Sequence, residues 1–534
     1  MKFKLKSITA CLLAVFMAAS PLDVLANNNQ NLTPAQNLIN NQVNNRIGDM
    51  SFFGGISEGV RLPLTTEILL LEEGNSRNRR DATTMRYSEM VFLSGSPVQF
   101  DGNLTVTRQG SVDVTEPVGT FNVVHNVASS AATAEGVNID RNMTFRVNYR
   151  IEGSQVIFNY EAQRNNWRDV ITVGGTTYTL IPSESHFGVG IIQHMTPGVS
   201  YYRGDVSGRL VFSTGNGGAN VVKDIRGEFY GYRSPWSAAE THSLDVSIDG
   251  GSWAVQYQIR PSITLNKVLQ FVQNQPNVIS FDGNFREVTQ SNVGLRYDIF
   301  VAPQAMWNQP TTGVVSMEIP NAFEQLPSPD TAFLRGNPSE DDLRRLFSTQ
   351  VLTGDPRFFQ PGHAITRGQF VAAVARAIRL PLMPEPRAQR ARLQPDMSVF
   401  HDVPNTRPEY PWIMAAYRAG LAVGRANSMF YFDYPIDRQE AIMIMIRALG
   451  LTAMGSNPTP VTPFADDPLI APWARREISV AYMIGLATPD EFGFLHPTRL
   501  LTVGEAANIL NELIEYMRVG LISDYVDQIV NIVN

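Results

Sequence analysis

Three stretches of this chain repeat a single unit, and that repetition constrains the back third more than any other feature. They are VLTGDPRFFQPGHAITRGQFVAAVARAI at 351–378, LAVGRANSMFYFDYPIDRQEAIMIMIRAL at 421–449 and LATPDEFGFLHPTRLLTVGEAANILNELI at 486–514. In each, an aromatic-containing loop runs into a helix-start signal and then an apolar helix. The start signals are Thr366/Gln369, Asp437/Glu440 and Thr502/Glu505. Each pair has the spacing of a capping box, where the cap side chain takes a backbone N–H and the residue three places on reaches back. Repeats of this length bury their apolar faces against one another.

A short helix precedes each loop, and two copies open with an aromatic-acidic pair, FHDV at 400–403 and FADD at 464–467. With Trp412 and Trp473 on the preceding helices, this set resembles the S-layer homology family, over repeats at 335–380, 399–452 and 463–516. The resemblance implies an all-α, pseudo-threefold helical bundle. It also implies non-covalent attachment to the cell wall through acidic, often pyruvylated, secondary wall polysaccharide. The polymer-binding residues that carry over are Arg367 and Arg438 of the boxes, Trp412, Trp473 and Asp402. Both tryptophans also have a reading as core residues.

The arginines pose a physical question. Each sits at a helix start, where the unpaired N–H groups amount to about half a positive charge. A cation is awkward there unless an anion lies beside it, and a two-pronged arginine–carboxylate contact would suit such a ligand. The competing reading is an ion pair inside the bundle. Val503 stands in the arginine position of the third copy, and the first copy lacks the F-x-D-V opening and its tryptophan. At most two competent grooves follow.

Ahead of the repeats the periodicity is two, not 3.6. In 143–162 Phe145, Val147, Tyr149 and Ile151 alternate, then Val156, Phe158 and Tyr160 after a Gly turn. In 244–259 Leu244, Val246 and Ile248 face Val255, Tyr257 and Ile259 across Asp249-Gly250-Gly251. These are hairpin signals. Further strands are expected at 87–93, 103–108, 169–181, 205–213, 225–233 and 294–302, with one helix around 262–274. The sum is a mostly-β, sandwich-like domain over 51–303. FDGN occurs at Phe100–Asn103 and Phe281–Asn284 and reads as two similar turns.

The flanks are polar. Residues 1–26 have the anatomy of a signal peptide, with Lys2, Lys4 and Lys6 before a short apolar run and Val24-Leu25-Ala26 at the cleavage point. Cleavage there removes Cys11, the sole cysteine, and leaves no transmembrane segment. An Asn/Gln-rich leader follows at 27–50, a linker at 304–334, an insert at 381–398 bearing Arg387, Arg390 and Arg392, and a helical tail at 517–534. Net charge of −7 argues against a nucleic-acid partner. No cofactor or metal is implied.

Many proteins with such repeats carry an enzyme, yet the β region has no G-x-S-x-G or H-E-x-x-H motif and no phosphate loop. His186 and His194, eight apart, read as surface or strand histidines rather than a metal pair, and Glu184, Glu228 and Asp245 are candidate acids in only the broadest sense. A surface protein displaying a structural, surface-layer or adhesive β domain, with self-association open, is favoured over a wall-anchored hydrolase. An outer-membrane barrel is disfavoured by the expected helix and the polar turns.

Overall fold

The computed structural model describes residues 53–58, 80–113, 115–129, 136–215, 217–272, 284–304, 310–382, 399–424, 428–456, 458 and 461–524. The signal peptide, the leader, residues 383–398 of the insert and the last ten residues lie outside the described residues.

Strands dominate the first part. They are β1 (Ile56–Ser57), β2 (Arg80–Val91), β3 (Val98–Gln109), β4 (Val118–Ser129), β5 (Asn138–Glu152), β6 (Gln155–Val173), β7 (Thr176–Leu180) and β8 (His186–Met195). There follow β9 (Ser200–Ser213), β10 (Val221–Arg233), β11 (Ser237–Asp249), β12 (Ala254–Val272), β13 (Asn284–Val301), β14 (Thr312–Met317) and β15 (Ala322–Gln325). All belong to one antiparallel sheet in nearly sequential order. The long β6 takes β8 along Gln155–Glu161 and β7 along Val170–Val173, so these two share the slot beside β9.

Both hairpins have the register their alternation implies, Tyr149 opposite Phe158 and Val246 opposite Tyr257. The expected sandwich is corrected. Hairpin follows hairpin, so each strand pairs with the next and one sheet forms. That sheet curls on itself: Phe92 beside β2 stacks on Tyr257 of β12 at 3.9 Å, and Arg86 donates to the Glu318 carbonyl just past β14 at 2.8 Å.

The expected helix at 262–274 is also absent among the described residues. Residues 262–272 continue β12, paired with β13 throughout and with β11 as far as Asn266. The first FDGN is no turn but the middle of β3, and 281–283 of the second lie outside the described residues. Side chains alternate faces along each strand. Along β5, Ile139, Met143, Phe145 and Val147 point inward and Arg146 and Arg150 outward. A lipid-facing barrel needs an apolar outer band; here the outward face is polar.

The interior also holds charge. Arg141 pairs with Glu89 at 2.7 Å and Asp169 at 2.8 Å, all three buried, and Tyr87 donates to Glu89 at 2.7 Å.

Among the described residues six helices of nine to thirteen residues follow: α1 (Glu340–Ser348), α2 (Arg367–Ala377), α3 (Tyr410–Arg418), α4 (Arg438–Leu449), α5 (Arg475–Met483) and α6 (Val503–Glu515). The last carbonyls of a helix lack partners within it, and here the sheet supplies donors. Trp236 Nε1 bonds the Ala377 carbonyl at 2.7 Å, Gly198 N that of Ala448 at 2.7 Å and the Tyr201 hydroxyl that of Leu449 at 3.1 Å. α4 stops at Gly450, whose φ of 71° is left-handed. A Cβ there would also lie 2.1 Å from Thr196, so only glycine admits this approach of helix to sheet. No described helix is long and apolar enough to cross a membrane.

Candidate functional site

The three repeated boxes meet. Ile365 N bonds the Leu501 carbonyl at 3.0 Å, Leu501 N that of Ile436 at 3.0 Å, and Ile436 N that of Ile365 at 3.2 Å, which closes a ring. The helix starts are linked in the opposite rotation. The N–H groups of Arg367 and Gly368 go to the carbonyls of Tyr434 and Phe432. Those of Arg438 and Gln439 go to Arg499 and Pro497, and those of Val503 and Gly504 to His363 and Pro361. The donors that an anion would use are thus taken by the neighbouring loop. A helix N-terminus open to a ligand, as the sequence suggested, is not what the fold presents.

The side chains then diverge. Arg367 is 3% exposed; its Nε bonds Glu440 at 2.8 Å, its Nη1 the Phe430 carbonyl and its Nη2 the Val423 carbonyl at 2.8 Å, and it lies 4.2 Å over the Phe430 ring. The expectation of Arg367 as a ligand-facing group is corrected: it is an internal tie between the first two boxes. At the second box the Asp437 side chain caps Glu440 N at 2.9 Å, and the Glu440 carboxylate pairs with Arg367. In the other two boxes both reciprocal bonds form.

The next step round the ring would pair Arg438 with Glu505. That pair does not form, because Glu505 accepts from its own cap, Thr502 N, at 3.0 Å and from Arg499. Arg438 is left half-buried, with no ion pair among the described residues and with its buried Nε lacking any partner. Burial foremost, and then the like charge of Arg499, push its pKa down. Val503, at the third position, brings no charge to Gln369. Only Arg438 of the two box arginines is therefore available.

Asp402 braces a loop, accepting from Phe430 N at 2.7 Å and Phe432 N at 2.9 Å. Desolvation works against its ionisation, but these N–H groups prevail and hold its pKa below the usual range. Asp466 does the same for Leu495 N and His496 N at 2.9 and 2.7 Å. Between the clasped residues Tyr431 sits at φ 60°, and His496 itself at 57°. Left-handed backbone is strained for such residues, and the paired bonds hold it. Trp412 packs half-buried on the core beneath Arg376, 5.2 Å away, whereas Trp473 is 49% exposed. Among the described residues no ring or cation–π contact ties Trp473 to either box arginine. Arg499 was not anticipated, and nothing in its local sequence marks it.

In the sheet the candidates disperse. His186 and His194 occupy one strand eight residues apart, about 26 Å at strand rise, so they cannot share a metal. Glu184, Glu228 and Asp245 are exposed. Glu89 and Asp169 converge on Arg141, sealed from solvent, and Glu228 lies opposite Asp205 across β10 and β9 on the exposed face.

Residues 399–442 match the model of the S-layer homology domain. The chain is also 26% identical over 184 residues to an exoglucanase XynX of Acetivibrio thermocellus, covering 34% of this chain and 16% of that protein. An endoglucanase of Bacillus sp. (strain KSM-635) is 26% identical over 174 residues, 32% of this chain and 17% of the relative. An amylopullulanase of Thermoanaerobacterium thermosulfurigenes is 26% identical over 184 residues, 34% and 9%. The chain thus matches less than a fifth of each relative's length.

Proposed function

We propose, for a chain that carries an S-layer homology domain in residues 399–442, a surface protein held non-covalently on the bacterial cell wall. The three boxes act as a pseudo-threefold bundle of S-layer homology repeats that binds acidic secondary wall polysaccharide, and the curled sheet is the displayed part. The signal-peptide anatomy of the first residues supports export. The observation that carries the reading is Arg438: a half-buried guanidinium at the family's box position, its Nε unpartnered because Arg499 holds Glu505. A carboxylate on a sugar polymer would complete it with charge-assisted bonds. Trp473, 49% exposed, is one aromatic of the repeats open to that polymer.

The test is sedimentation of the full chain with isolated cell walls. Arg438→Ala is expected to leave most of the protein in the supernatant while its thermal midpoint stays near that of the parent. Pelleting equal to the parent's would refute the assignment of Arg438. Walls stripped of their acidic substituents should fail to pellet the parent as well.

The alternative is a wall-anchored glycan hydrolase, favoured by the names of the relatives. Of its carboxylate pairs on the sheet, Glu89 and Asp169 are buried, whereas Asp205 and Glu228 are exposed cross-strand neighbours. Release of reducing sugar from wall polysaccharide, abolished by Glu89→Gln or by Glu228→Gln, would establish it over the non-catalytic reading.

A further inference from the structure

On the buried face of the sheet a tyrosine, a glutamate and a histidine form a hydrogen-bonded chain that wall anchoring does not use. Tyr202 of β9 and Glu240 of β11 share one row of the sheet through Gly231 of β10. The tyrosine ring crosses over Gly231, where a Cβ would lie 2.4 Å from the phenol oxygen. Its hydroxyl donates to Glu240 Oε2 at 2.7 Å, and His242 Nε2 meets Oε1 at 2.7 Å. All three side chains are buried, with His242 4% exposed and stacked on Phe229 at 5.0 Å.

A carboxylate accepts, so Nε2 carries the hydrogen and the neutral imidazole keeps a lone pair on Nδ1. That Nδ1 is buried and has no hydrogen-bond partner among the described residues. A buried acceptor left bare is costly, and in a native interior such an atom marks a place for a water, an ion or a ligand. His242 and Glu240 line a cavity of about 20 Å³, where such a donor can sit. Ile56 of β1, Ile263 of β12 and Val293 of β13 make its apolar wall, and exposed Ser262 is also part of its lining. A volume of this size holds a group of about one or two heavy atoms. The Glu240 carboxylate beside it disfavours an anion. For a metal ion, no three His, Cys, Asp or Glu side chains gather among the described residues.

We infer that this cavity binds a primary alcohol group, whose hydroxyl donates to His242 Nδ1 while its carbon lies against Ile56, Ile263 and Val293. The space admits a hydroxymethyl arm and no ring, so the group enters as the end of a larger neutral molecule. Tyr202 and Glu240 hold the imidazole in the tautomer that accepts. The choice of a hexose, with its exocyclic hydroxymethyl, rests on the wall-anchoring reading; the acceptor geometry does not.

The experiment is saturation-transfer difference NMR on the full chain with methyl β-D-glucopyranoside. Methyl β-D-xylopyranoside, which lacks the arm, is the parallel control. In the parent, saturation should reach the hydroxymethyl protons of the glucoside most strongly and the xyloside about tenfold less, the loss of one hydrogen bond. His242→Phe removes the acceptor but strands Glu240, so Val293→Leu, which adds one carbon to the wall and leaves the hydrogen-bonded chain intact, is the second variant. Both should lose the glucoside signal. The anchoring reading fails separately: Val293→Leu should still pellet with cell walls, and Arg438→Ala should keep the glucoside signal. Parent-like transfer in either cavity variant, equal transfer to the two sugars, or none to the hydroxymethyl protons in the parent overturns the inference.

Discussion

Two arginines that look alike in sequence have opposite roles in the fold. Arg367 is sealed against Glu440, and removing one partner of a buried pair strands the other charge. Arg367→Ala is expected to cost about 3–5 kcal/mol, read as a fall in the urea midpoint, whereas Arg438→Ala should stay within about 1 kcal/mol. Equal losses for both would contradict the distinction. His125, buried and edge-on to Phe145 at 5.1 Å, makes a pH prediction. Burial first and then Arg141 push its pKa from 6.5 to about 4. Between those values the unfolded chain holds a proton that the folded chain does not, so stability is full above pH 6.5 and falls as pH drops through the window. The loss approaches ~3 kcal/mol. His125→Phe should flatten that part of the pH–stability curve; an unchanged slope would count against it. The box residues themselves were legible from their spacing. Which arginine would find its glutamate was not, because that depends on how the repeats meet, with Arg499 in the loop before α6 already holding Glu505.

Helix starts could be read to the residue, while one strand was misread as a helix. Caps are local: Thr502 bonds Glu505 N at 3.2 Å and Glu505 reaches back, just as the four-residue signature requires. Thr502→Ala should therefore cost about 1 kcal/mol and Thr502→Ser much less, measured by thermal unfolding. The stretch 262–272 carries no such local determinant. Its ladder to β11 and β13 comes from residues far along the chain and overrides the helical look of ITLNKVLQFV. FDGN at 100–103 failed for the opposite reason, a turn-like phrase placed mid-strand. Gly102 is needed there because a Cβ would lie 2.5 Å from both the Phe100 ring and the Ala128 carbonyl. Gly102→Ala should cost about 1–3 kcal/mol through this overpacking, and a parent-like midpoint would show that the sheet yields instead.

Sheet and helices are joined through groups that each needs to satisfy. The helix-end carbonyls of α2 and α4 take donors from Trp236, Gly198 and Tyr201, and Glu287 draws Lys267 and Arg379 into one buried cluster. Calorimetry should accordingly show one cooperative transition for both parts. Trp236→Ala, which empties a buried site and frees the Ala377 carbonyl, should lower stability by about 3–5 kcal/mol and split that transition in two. A single transition persisting in the variant would place the coupling elsewhere.

By itself the sequence determined what is local or repeated: the alternation of the hairpins, the three capping signals and the family likeness that residues 399–442 bear out. Each depends on residues within a few positions of one another. Only the tertiary structure decided that the strands make one curled sheet, that Arg367 is internal and that Arg438 has no ion pair among the described residues. The curl of the sheet and the Arg367–Glu440 tie depend on partners scores of residues away, and Arg438 on how its repeat meets the one carrying Glu505, which no local spacing encodes.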